Sequence, residues 1–163
     1  MAEQSPSTEQ QARQMAFQRV YLKDVSFEAP NAPKIFRQEW QPENQLNIGT
    51  TVNQLEPGTY EVVLSVTLTT KIGETTAFLV EVHQAGVFSF QGFSQQELAP
   101  VLGAYCPNTL FPYAREVISD LVNKGSFPAM VLQPVNFDAL FMQRQQELAA
   151  QAAKAAPASP QPH

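Results

Sequence analysis

The middle of the chain repeats one pattern three times with almost nothing between the copies. Leu46, Ile48, Thr50 and Val52 alternate with polar residues. Tyr60, Val62, Leu64, Val66 and Leu68 alternate with Glu61, Val63, Ser65 and Thr67. After Lys71-Ile72-Gly73-Glu74, which has the composition of a short hairpin turn, Phe78, Val80 and Val82 oppose Leu79, Glu81 and His83. A period of two places alternate side chains on opposite faces of a strand. Parallel neighbours need a long crossover, so strands joined this closely pair antiparallel, as a meander.

The period then changes. Ser94-Gln95-Gln96-Glu97 has the spacing of a helix capping box, and Pro100 is expected to kink that helix or delay its start. A second helix is expected within residues 104–125, with Val117, Ile118, Leu121 and Val122 as its apolar stripe and Gly125 as the residue just past its end. A third begins near Asn136 and carries Leu140, Phe141, Arg144 and Leu148 at helical spacing. Ahead of the meander, residues 16–28 form a further strand, with Phe17, Tyr21, Val25 and Phe27 on one side and Val20 and Leu22 on the other. Pro30, Pro33 and Pro42 make the segment that follows an extended crossover bearing Phe36 and Trp40. The fold class is α+β: a four-stranded antiparallel sheet, a meander with a crossover, followed by two or three helices on one face.

Composition narrows the function. A length of 163 residues with 44% hydrophobic content suits one domain, expected over residues 15–152, between polar tails at 1–14 and 153–163 that are expected to be disordered. A formal charge of -5, with no two basic residues adjacent, argues against nucleic acid and against an anionic membrane surface as partners. The polar start does not have the build of a signal peptide, and no stretch approaches the ~18 apolar residues of a spanning helix, so a cytoplasmic protein without membrane insertion is expected.

Chemistry is hard to find. His83 has no second histidine in the ordered region, and reads as a surface strand residue rather than a metal ligand or catalytic base. Cys106 lacks a CxxC partner and reads as a small buried hydrophobe. Phosphate-binding glycine loops are absent from the sequence, and the carboxylates of Asp24, Glu28 and Glu81 have no adjacent base. No catalytic residue, metal site or cofactor is expected. The surplus lies instead in large rings: Phe27, Phe36, Trp40, Phe88, Phe90, Phe93, Phe111, Tyr113, Phe137 and Phe141. Some must fill the core. A thin sheet covered on one side nevertheless leaves apolar surface for self-association or for a ligand.

Three stretches carry a family likeness: YLKDVSFEAPNAPKIF (21–36), ETTAFLVEVHQAGVFSF (74–90) and LGAYCPNTLFPYAREVISDLVNKGSFPAMVLQPVNFDALF (102–141). In order and spacing, over roughly residues 17–142, the chain resembles the SecB export chaperones. The resemblance implies a homotetramer, built as a dimer of dimers, that holds unfolded precursor polypeptides without ATP and delivers them to the export ATPase SecA. It also implies residue roles. Phe78, Val80, Val82 and Gln84 match subunit-interface positions, Val80 standing where some relatives carry cysteine. Phe36, Trp40, Leu46 and Ile48 match the client groove, with Leu140, Phe141 and Met142 as a further wall. Asp24, Glu28, Leu79 and Glu81 match the flat acidic surface that docks a basic tail of SecA, and the zinc of that tail belongs to the partner. Two rivals stand beside this reading: a SecB-like chaperone for a non-export client such as a toxin–antitoxin component, and a small-ligand or enzyme pocket on the same sheet.

Overall fold

A computed structural model describes residues 12–155. Four strands, β1 (Gln14–Glu28), β2 (Glu43–Glu56), β3 (Thr59–Ile72) and β4 (Thr75–Gln91), form one antiparallel sheet in the order β1-β4-β3-β2. The meander runs from β2 to β4, and the proline-rich crossover carries the chain from one free edge, β1, to the other, β2. The crossover is not extended throughout: Lys34–Arg37 make one 3-10 turn that drives Ile35 into the core.

Register explains which side chains share a face. Phe27, Val80, Leu68 and Leu46 lie in one row across the sheet, and Val25, Val82, Val66 and Ile48 in the next. This face is covered by the helices, and its β3 and β4 residues form the core with Leu110, Ala114, Ile118 and Val122 of the long helix. Register shifts between Phe17 and Arg19 and between Leu22 and Asp24 change the phase of β1 twice. A bulge inserts one residue and so re-aims everything beyond it. Strict alternation had separated Val20 and Leu22 from Phe17, Val25 and Phe27; the bulges bring all five into register with the covered face, and Tyr21, grouped with Phe17 by alternation, falls on the opposite one.

Helix α1 (Gln95–Pro100) starts with the capping box expected from the sequence, Ser94 accepting from the Glu97 amide and Glu97 accepting from the Ser94 amide. Pro100 ends it, and a π-helical turn, Val101–Tyr105, leads into α2 (Cys106–Lys124). The expected left-handed residue after α2 is not Gly125, whose φ is -72°, but Ser126 at φ 64°. Gly125 is required by space: a Cβ there would stand 2.4 Å from Cζ of Phe27. Helix α3 (Phe137–Ala155) opens with the Asn136 side chain accepting from the Ala139 amide. It covers residues 153–155, which the sequence had assigned to a tail; most of both expected tails lies outside the described residues.

Candidate polypeptide-binding groove and acidic face

The two faces of the sheet differ sharply in chemistry. On the covered face, β2 is a free edge, and α3 stands off from it. Between them lies an open groove of about 570 Å³. Its sheet wall is Ile48, Thr50 and Val52, and its helical wall Leu102, Phe137, Leu140 and Phe141. Gly103, in the π-helical turn, makes this wall possible, because a Cβ there would stand 2.4 Å from Cδ2 of Phe141. At the groove's polar side the Arg144 guanidinium donates to the Thr50 carbonyl at 3.4 Å. An edge strand offers unpaired amides and carbonyls, so a chain entering here meets apolar side chains and backbone donors and acceptors together.

The expected groove residues divide between two places. Ile48, Leu140 and Phe141 line the groove itself, and Leu46 lies one row along the same face of β2. Phe36 and Trp40 belong to a separate aromatic cluster, their rings 5.2 and 5.8 Å from that of Phe127. Phe78, centred 4.9 Å from Phe127, and Phe27 complete the cluster from the sheet. Phe36 is nevertheless half-exposed. Met142 is exposed and outside the groove lining. Sequence reasoning missed Leu102, Gly103 and Phe127, which become neighbours of the expected residues only through packing.

Phe78, Val80, Val82 and Gln84, matched above to a subunit interface, lie inside the fold of the single chain. All four side chains point to the covered face, the first three 0% exposed and Gln84 4%. Gln84 donates from Nε2 to the Tyr21 carbonyl at 3.0 Å, tying β1 to β4. Phe78, Val80 and Val82 belong to the core of the chain. Uncovered apolar surface lies instead along the free edge β1, at Phe17, Leu22 and Val25.

Asp24, Glu28, Leu79 and Glu81 do share one surface. Glu28 stands opposite Leu79, Ser26 opposite Glu81 and Asp24 opposite His83, all on the outward face of β1 and β4. Farther along that face Glu61 accepts from the Tyr21 phenol, from Lys23 at 2.9 Å and from Asn53 at 3.1 Å. The Tyr21 hydrogen bond, followed by that of Lys23, holds the Glu61 carboxyl down at about 2, and the same bond pushes Tyr21 up to about 12. Ala85, between Tyr21 and Val63 in register on this outward face, is fully buried.

Cys106 is buried and burial pushes its thiol up to about 12, far from a nucleophile's range. Among the described residues no group of three His, Cys, Asp or Glu side chains could hold a metal, and no helix is long and apolar enough to cross a membrane.

This topology, an antiparallel sheet covered by helices on one side, is one found in a SecB-like chaperone. A SecB-like chaperone of Mycobacterium tuberculosis, solved in complex with a peptide from the HigA1 antitoxin, shares the fold at a TM-score of 0.63 and 18% identity, over 74% of this chain and 90% of that one. The family model described as preprotein translocase subunit SecB matches residues 8–148. A protein-export protein SecB of Methylococcus capsulatus is 56% identical over 153 residues, which span 94% of this chain and 99% of the relative. The chain belongs to the SecB family, a family of protein-export chaperones rather than of enzymes.

Proposed function

We propose that this protein is an ATP-independent holding chaperone of the cytoplasm. It binds unfolded secretory precursors in the β2–α3 groove, works as a homotetramer, and passes its clients to SecA through Asp24, Glu28, Leu79 and Glu81. The observation that carries the reading is the groove: an apolar channel beside an unpaired strand edge selects for chains that are both extended and hydrophobic. Such recognition reads no particular sequence, which suits many clients. The exposed Phe36 near the aromatic cluster supports a second contact on a long client, and contacts repeated over several subunits add through effective concentration. The bare apolar strip on edge β1 supports self-association. Three carboxylates around one apolar anchor suit a basic partner segment, whose docking is fast and salt-sensitive.

The test is direct. An unfolded precursor diluted from denaturant is followed by light scattering with and without stoichiometric amounts of the protein. Aggregation is expected to slow, and native mass measurement to show a tetramer carrying the client. Aggregation at an unchanged rate would falsify the reading.

A further inference from the structure

His83 lies in the middle of the acidic face and has no part in the docking reading as stated. It stands opposite Asp24 of β1 on one side and Ser65 of β3 on the other. Its Nε2 is 2.5 Å from Oε1 of Glu81, and its Nδ1 is 3.4 Å from Oγ of Ser65. Both contacts fit one neutral tautomer, in which the Ser65 hydroxyl donates to Nδ1 and the Nε2–H donates to the Glu81 carboxylate. About half of the Glu81 side chain remains exposed, so the carboxylate is oriented yet still open to a partner.

The charged surroundings of this imidazole are one-sided. Its own strand supplies Glu81, and β1 supplies Asp24 with Glu28 farther along. The nearby cation of β1, Lys23, is already bound to Glu61 of β3. Otherwise β3 offers the uncharged Ser65 and Thr67, and β2, behind it, Gly49 and Asn47. The helices pack on the opposite face. A proton on His83 would therefore place a positive charge beside Glu81 and across from Asp24, with the nearby cation Lys23 already paired to Glu61.

We propose that His83 is a positioning residue that makes the acidic face pH-sensitive. As a neutral donor it holds Glu81 ready for a cationic side chain; once protonated it becomes an internal cation competing for the same carboxylate. Docking of a basic partner segment weakens between about pH 8 and about pH 5.5, as the imidazole gains a proton. The inference rests on the reading of Asp24, Glu28, Leu79 and Glu81 as a docking surface.

The experiment measures binding of a fluorescent, histidine-free Lys/Arg-rich peptide to the full chain at constant ionic strength, at both ends of that window. Wild-type affinity is expected to drop about two- to fivefold at the acid end, the scale of one exposed charge pair. In His83→Gln the amide still donates to Glu81 but cannot titrate, so binding should equal wild type at the alkaline end and stay flat. His83→Ala should bind more weakly at the alkaline end and also stay flat. Circular dichroism checks that both variants are folded. A flat wild-type profile, or a His83→Gln variant that keeps the full pH dependence, overturns the role of His83 and leaves the docking surface standing. No peptide binding at either pH, or binding indifferent to Asp24→Lys with Glu28→Lys, overturns the docking surface and the inference with it.

Discussion

Glu61 is the most constrained carboxylate among the described residues, and its environment dictates a pH signature. Its side chain is 11% exposed and accepts from three donors on two strands, Tyr21 and Lys23 of β1, reached across β4, and Asn53 of β2. A carboxyl held below its ordinary 4.5, at about 2, stabilises the fold fully above pH 4.5, and that contribution is lost as the pH falls towards 2. Tyr21 works in the other direction. Raised from 10.0 to about 12, it contributes fully below pH 10 and loses this as the pH climbs through 12. Glu61→Gln is expected to lose roughly 1–3 kcal/mol at neutral pH and to show a flatter loss of stability between about pH 4.5 and pH 2. Urea titrations of both proteins at pH 7 and pH 3 measure this. Equal acid sensitivity in the two would remove Glu61 from the account. No periodicity argument pointed to this residue, since its partners come together only through strand order.

At the scale of elements, the covered face of β4 and the π-helical turn make separate predictions. If Phe78 belongs to the subunit core, Phe78→Ala should destabilise the subunit itself by about 3–5 kcal/mol, as other buried rings do. Any loss of assembly should then follow the loss of structure in thermal melts. A variant that dissociates while its subunits melt as before would restore the interface assignment. Gly103→Ala tests the docking of α3. Its new Cβ would press on Phe141, so a cost of about 1–3 kcal/mol is expected, together with weaker binding of an unfolded client because the groove wall shifts. The elements themselves could be anticipated from the chain: the alternation of β2 to β4, the capping box at Ser94 and the restart at Asn136 are local signals. The π-helical turn and the two bulges of β1 could not. Each is an irregularity that local propensity disfavours and that tertiary packing enforces.

For the whole molecule, the groove and the acidic face lie on opposite sides of one sheet, so the two activities should separate. Asp24→Lys with Glu28→Lys is expected to abolish binding to SecA while leaving client holding unchanged, since neither residue approaches the groove. Pull-down with SecA and the light-scattering assay run on the same preparation decide it, and joint loss of both would count against two sites. The surplus of rings was visible in the sequence, as was the family likeness through YLKDVSFEAPNAPKIF and PVNFDALF. Period-two alternation together with short connections determined the antiparallel sheet, because both are properties of neighbouring residues. Which face each apolar row joins was decided only by the fold. Nothing in the spacing of Phe78, Val80 and Val82 tells an interface from a core, whereas α2 lying across them does. Likewise His83, already on one face with Glu81, became a neighbour of Asp24 and Ser65 only when strands distant in sequence took their register.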